Sequence, residues 1–284
     1  MTVKKLTLEI FLILVIIIPI SIYAAADDQA TGYVQIINPV AELFCGKTIE
    51  EWKDLGANIV NGTEHRDVIR GTNGVDVIIA RGGNDIVLAR DGDDCIVGGE
   101  GSDRLIGDKG NDIIFGNEGN DIIHGGKGND FVDAGSGDDR VTGNHDDDSI
   151  VGGEGKDRIW GGSGNDTIDG GDGDDTLYGN QGNDTLIGGN GDDWLSGGIG
   201  DDVIHAGSGA DKLFGRPGND DLFGGDDNDK IHGGQGNDDL NGGSGTDNCH
   251  DKQGKNNFIS CEVRVPINEE DEPEEDDKVY AEFS

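Results

Sequence analysis

The side chains with most chemistry to offer are aspartates, and they stand at a fixed interval. Asp67, Asp76, Asp85 and Asp94 are nine residues apart, and the same step runs without slippage to Asp247, twenty-one carboxylates in all. Two positions after each is an apolar side chain, such as Ile69, Ile78, Val87, Leu105, Ile168 or Leu240; only the last register departs, with Cys249. Two positions before each is glycine, except where His65, Asp146 and Asp227 replace it. Regularly spaced carboxylates beside glycine-rich backbone form an all-oxygen donor set. Ca2+ accepts roughly six to eight such ligands, whereas Mg2+ demands a tight octahedron and keeps its waters. Zinc is disfavoured because the histidines and cysteines lack ligand spacing.

Those carboxylates need elements to hold them. A strict repeat implies a solenoid. Gly-Gly-x-Gly-x-Asp stretches alternate with short apolar pieces such as Thr167-Ile168-Asp169 and Thr185-Leu186-Ile187. Glycine permits positive φ, and Asn or Asp just before the framing aspartate tolerates it too, as at Asn84, Asn111, Asp138, Asn165 and Asn219. Each nonapeptide therefore reads as a six-residue turn and a very short strand. Two of each make an 18-residue coil, and the coils stack into two parallel sheets with turns along both edges. The middle apolar residue of each strand points inward and its neighbours outward. Aspartates on one edge, such as Asp175 and Asp193, then lie about one strand spacing (~4.8 Å) apart and repel one another unless a cation intervenes.

Gly161-Gly162-Ser163-Gly164-Asn165-Asp166-Thr167-Ile168-Asp169 is one full copy of the unit, and Gly233 to Asn241 is another. The pattern resembles the nonapeptide repeat of RTX (hemolysin-type) calcium-binding proteins, whose fold is the all-β parallel β-roll. The resemblance covers about two thirds of the chain. It implies several Ca2+ ions, each between successive turns on one edge, held by a carboxylate and glycine-region carbonyls from each turn. One ion would use Asp175 with the carbonyls of Gly171 and Gly173, and Asp193 with those of Gly188 and Asn190. The candidate ligands are Asp76, Asp85, Asp94, Asp103, Asp112, Asp121, Asp130, Asp139, Asp157, Asp166, Asp175, Asp184, Asp193, Asp202, Asp211, Asp220 and Asp238. The turn around His65 and Arg66 reads as a cap. Weak or altered sites are expected at Asn144 to Asp148 and at Asp226 to Asp229, where the penultimate glycine is missing.

The rest of the chain frames this region. Glycine supplies 52 of 284 residues, and the formal charge is −38. That charge argues against nucleic acid, which needs a basic footprint. Lys4 and Lys5, the apolar run Ile10 to Ile18 and Ala24-Ala25-Ala26 read as a signal peptide over 1–26, hence a secreted, extracellular protein. An uncleaved anchor over Leu6 to Tyr23 is the rival reading, interrupted by Glu9 and Pro19; after cleavage no span remains. Residues 27–61 are not repetitive, with a strand expected over Val34 to Val40 and a capped helical turn over Thr48 to Leu55. The roll covers 62–261, and 262–284 reads as an acidic, solvated and disordered tail. Four cysteines in an exported chain suggest disulfides, Cys249 with Cys261 and then Cys45 with Cys95.

The two sheets differ outside. One carries Val77, Ile79, Cys95, Val97, Ile113, Phe115 and Phe131 outward, an apolar patch for residues 27–61 or a partner protein to cover. The other carries Arg104, Arg140, Arg158, Lys212 and Lys230 among Trp160, Tyr178, Trp194 and Phe214. These read as ordinary balancing surface or as a site for cell-surface acidic polysaccharide. Catalytic signatures do not form. Cys45-Gly46-Lys47-Thr48 lacks the upstream glycine of a phosphate loop, Asn165 spoils a nucleophile elbow near Ser163, and no His-Glu-x-x-His occurs. The expectation is a monomeric, non-enzymatic calcium-binding roll with a structural or interaction role. A polysaccharide-binding or adhesion module is the alternative, and an RTX-type enzyme a more distant one.

Overall fold

The computed structural model describes residues 43–261 except Lys252, Gln253 and Lys255. The signal segment, the expected strand over Val34 to Val40 and the acidic tail lie outside the described residues. Two compact units divide at Ala57 and Asn58. In the first, strands Leu43–Phe44 and Lys47–Thr48 pair antiparallel, and a helix spans Ile49–Asp54. Its capping box is the expected one: Thr48 Oγ1 accepts from Glu51 N–H at 3.2 Å, and Glu51 Oε2 accepts from Thr48 N–H at 2.8 Å.

The second unit is a two-sheet parallel β-solenoid. One sheet has 11 strands and the other 12, and strands alternate between them along the chain. Each strand pairs with the one 18 residues on, as Ile168 with Leu186 and Leu177 with Leu195. One 18-residue coil is therefore two nonapeptides, as the spacing requires. The apolar residue two places after each aspartate forms the inner column: Ile78, Ile96, Leu105, Ile168, Leu186 and Leu240 are all fully buried. Cys249 closes the column and is bonded to Cys261. No described cysteine is free.

Two expectations need correction. Strands are six residues long, as in Thr167–Asp172, and not three. The glycine pair continues the parallel ladder, with Gly171 opposite Gly189 and Asp172 opposite Asn190, so the turn shrinks to three residues. The left-handed positions also differ. Asn84, Asn111, Asp138, Asn165 and Asn219 do not have positive φ; the residues four and two before the aspartate do, for example Gly189 at 116° and Gly191 at 134°. A Cβ on Gly189 would stand 2.0 Å from the Gly171 carbonyl oxygen, and one on Gly191 equally close to that of Gly173. Stacking and backbone conformation together impose glycine there.

Candidate metal centre

Each turn tucks its framing aspartate into the corner of the coil. Asp85 through Asp247 are 0–3 % exposed, an unusual state for carboxylates. One oxygen is accounted for: Asp175 N–H donates to Asp193 Oδ1 at 2.8 Å, and Asp193 N–H to Asp211 Oδ1 at 2.8 Å. This forward ladder runs along both edges. It starts where Asn58 Nδ2 donates to Asp76 Oδ1 at 2.5 Å, and on that edge ends where Asp238 N–H donates to Asn256 Oδ1 at 2.9 Å.

The other oxygen is not satisfied. From Asp85 through Asp229, each framing Oδ2 is buried with no hydrogen-bond donor. Burial without compensation disfavours the charged form. Desolvation pushes Asp112, Asp148, Asp193 and Asp220 up to about 8. It raises Asp121, Asp130, Asp157, Asp166, Asp202 and Asp229 to about 7, and Asp94, Asp103, Asp139, Asp175, Asp184 and Asp211 to about 6. In most of these corners the neighbouring aspartates add to the effect.

In many corners a second oxygen faces the orphan across a glycine, whereas alanine (Ala80, Ala89, Ala134 and Ala206) stands at that position before Asp85, Asp94, Asp139 and Asp211. The point a Cβ on Gly170 would occupy lies 2.5 Å from Asp175 Oδ2 and 2.7 Å from the Gly188 carbonyl oxygen. Gly188 repeats this with Asp193 Oδ2 and the Ala206 carbonyl at 2.4 and 2.5 Å, and Gly215 with Asp220 Oδ2 and the Gly233 carbonyl at 2.4 and 2.5 Å. Two oxygens crowd one corner with no proton donor from the protein. In the glycine corners, hard oxygen donors, negative charge and the room left by the missing side chain fit a calcium ion.

The expected ligands are only partly gathered. Asp175 Oδ2 and the Gly188 carbonyl share a corner, and Asp175 and Asp193 are joined through the ladder. The Asn190 carbonyl accepts from Gly173 N–H at 2.7 Å, while the carbonyls of Gly171 and Gly173 face Gly189 and Gly191 one coil on. No group of three or more acidic, histidine or cysteine side chains gathers among the described residues, so carbonyls must complete any ion's shell.

Asp76 stands apart from the other candidates. Its Oδ2 accepts from Thr72 N–H at 2.6 Å and Thr72 Oγ1 at 3.1 Å. Thr63 does the same for Asp67 at 2.7 and 2.9 Å. The cap thus extends over two registers. Conversely, Asp148 and Asp229, outside the expected set, carry the same orphan Oδ2 as their neighbours. Their turns survive because Asp146 and Asp227 adopt positive φ, 73° and 76°. The sequence signals were a threonine four residues before the aspartate in one case and an intact Asp-x-apolar frame in the other.

A second row lies outside the first. Asn183 N–H donates to Asn165 Oδ1 at 2.9 Å, and Asn165 N–H to Asp147 Oδ1 at 2.7 Å. This is the task of the Asn and Asp residues before the framing aspartate. Their bonds run one coil back, where the inner row runs one coil forward.

The RTX calcium-binding nonapeptide repeat family (four copies) matches at residues 61–96, 97–132, 124–159, 151–186, 178–213, 187–222 and 214–249. The chain belongs to this family. The match spans well over half of the sequence and coincides with the coils described above. No curated protein matches the chain. The protein is a calcium-binding β-roll. Among the described residues no helix is long and apolar enough to cross a membrane.

Proposed function

We propose that this β-roll acts outside the cell, folds when it meets calcium, and serves a structural or interaction role without catalysis of its own. The observation that carries this reading is the buried, donorless Oδ2 repeated from Asp85 through Asp229. A column of buried like charges opposes folding. Calcium supplies positive charge and accepts the surplus oxygens, so its binding energy becomes folding energy. The chain's own part is to hold the oxygens in place. Asp175 with the Gly171 and Gly173 carbonyls, and Asp193 with those of Gly188 and Asn190, would form one site, and the same positions in other coils would form its repeats. The corresponding aspartates are Asp85, Asp94, Asp103, Asp112, Asp121, Asp130, Asp139, Asp157, Asp166, Asp184, Asp202, Asp211, Asp220 and Asp238. Asp148 and Asp229 join them, and Asp76 belongs to the cap.

The N-terminal signal features support export, and extracellular calcium modules work at roughly 10⁻⁴–10⁻³ M. A calcium titration followed by far-ultraviolet circular dichroism tests the reading. The β signal is expected to develop through that range at pH 7.5, and a spectrum equally folded in chelator would refute it.

A second reading, an adhesion module for acidic surface polysaccharide, draws support from Arg104, Arg140, Arg158, Lys212 and Lys230 on one outer face. Retention on an immobilised polyuronate that disappears when these residues are replaced by glutamine would favour it.

A further inference from the structure

Five residues before each framing aspartate the chain holds glycine or alanine, and the choice decides what fills the corner. Where it is glycine, the missing side chain leaves a point close to two oxygens at once. The Cβ position at Gly152 is 2.5 Å from both Asp157 Oδ2 and the Gly170 carbonyl oxygen, and that at Gly179 is 2.3 and 2.5 Å from Asp184 Oδ2 and the Gly197 carbonyl oxygen. Calcium–oxygen bonds span about 2.3–2.6 Å, so a cation bridging the two oxygens and a methyl group would compete for the same space. Ala80, Ala89, Ala134 and Ala206 put that methyl in the corners of Asp85, Asp94, Asp139 and Asp211. All four alanines are fully buried and belong to the same apolar cluster as the inner column. A methyl keeps non-bonded atoms about 3.5 Å away or more. The Oδ2 atoms of these four aspartates are as donorless as the rest. Charge and donor atoms are therefore alike in both kinds of corner, but the space between them is not.

We propose that the four alanine corners are the low-affinity calcium positions of the roll, filled only after the glycine corners, so that its two edges load differently. The inference rests on the calcium reading proposed above. An alanine weakens its own corner alone, because its carbonyl still serves the coil before. The Ala134 carbonyl oxygen faces Asp121 Oδ2 across Gly116, and that of Ala206 faces Asp193 Oδ2 across Gly188. Position along the edges then matters. On the edge that runs from Asp94 to Asp238 only the first corner has alanine, and glycine corners follow without interruption from Asp112. On the other edge alanine recurs at the corners of Asp85, Asp139 and Asp211 and divides the glycine corners into short runs. At limiting calcium the first edge is closed along nearly its whole length, while the second stays open at those three coils, where a buried carboxylate without a counter-charge opposes closure. The weak positions do not fall at the irregular turns of Asp146 and Asp227, whose corners at Asp148 and Asp229 keep Gly143 and Gly224.

The test is calcium binding to the full chain by equilibrium dialysis, with the bound metal counted directly and calorimetry run in parallel. The unaltered chain is expected to show a tight class of sites and a second class on the order of tenfold weaker. Replacing the alanines together, A80G, A89G, A134G and A206G, is expected to move the weak class into the tight one. Gly170→Ala makes the reverse change at one regular corner and is expected to move one ion per chain into the weak class. Circular dichroism in saturating calcium checks that each variant folds. Ala134→Gly alone alters a single corner and is expected to gain one tight ion, which keeps the test open if the fourfold variant does not fold. A single class of sites in the unaltered chain, or a weak class that survives in the glycine variants, would overturn this inference and leave calcium-driven folding standing. A chain that bound no calcium would fail the underlying reading and this inference with it.

Discussion

At Asp67 and Asp76 the inner carboxylate oxygen accepts two hydrogen bonds from Thr63 or Thr72; from Asp85 through Asp229 the equivalent atom is buried with no donor. The forward ladder bond donated by each aspartate's own N–H is the same in both regions, while the backbone four residues before the aspartate differs. The difference shows what the repeat gives up. Threonine completes the corner with protein atoms, but it occupies the position four before the aspartate, where regular turns hold a left-handed residue such as Gly171 at 104°. A β-branched residue does not take that conformation. Each turn therefore holds either a self-sufficient cap or a corner that awaits a cation, and only the second kind repeats along the roll.

The largest test of this contrast is pH. The aspartates of the later coils sit at about 6 to 8 when folded against ~3.9 unfolded. A group with a raised folded value favours folding while protonated, so this contribution is complete below about pH 4 and is lost as pH rises through 6 to 8. In calcium-stripped buffer the β signal is expected to be strongest near pH 4 to 5 and to fade by about pH 8, with calcium restoring it at pH 7.5. The fading of long-range charge repulsion on acidification acts in the same direction. A signal that instead grew with pH in stripped buffer would contradict the orphan-carboxylate account. Proton release on calcium binding, measured by calorimetry in buffers of different ionisation enthalpy, checks the same exchange.

Much of this was legible in the linear sequence, because side chains on a strand alternate and a nine-residue step sends successive strands to opposite sheets. The inner column from Ile69 to Leu240 and the 18-residue coil follow from that alone. The corner chemistry was less legible. Bonds such as Asn183 to Asn165 link residues 18 apart, so neither partner looks committed when read in order. Thr72 sits within four residues of Asp76, yet a hydroxyl near a carboxylate carries no geometry until the turn is built. Asp146 and Asp227 read as defects because glycine is the usual left-handed residue, although aspartate also visits that region.

Single substitutions separate the two regions further. Asp193→Asn removes one charged oxygen from a donorless corner, and calcium affinity depends on ligand charge. The midpoint of the calcium titration is expected to rise on the order of tenfold. Asp67→Asn, in the cap, is expected to leave it nearly unchanged. Equal shifts for the two variants would erase the distinction between cap and cation corner.

A smaller effect is expected from Thr72→Ala. It deletes the Oγ1 bond to Asp76 and the bond that Oγ1 accepts from Gly74 N–H at 3.2 Å, while the Thr72 N–H bond persists. The cost is about 1 kcal/mol, read from denaturant midpoints. It should be the same at limiting and saturating calcium, because the cap is closed by protein atoms. A loss that vanished at high calcium would place a cation at Asp76 after all.

The smallest effect concerns the irregular turn at Asp146. Its φ of 73° costs an L-residue energy that glycine does not bear. Its carboxylate also accepts from Gly128 N–H at 3.1 Å, a bond that regular turns make to a peptide carbonyl, as Gly137 N–H does to Glu154 at 2.7 Å. Asp146→Gly relieves the backbone and returns that N–H to a carbonyl partner, so a gain of about 0.5–1 kcal/mol is expected. The reciprocal change at a regular turn, Gly164→Asp, should fail more severely, since its Cβ would stand 2.0 Å from the Asp146 carbonyl oxygen. Denaturation of both variants in saturating calcium distinguishes the cases. If Asp146→Gly were destabilising, the carboxylate would be serving the corner itself, and the turn would count as a third way of closing it.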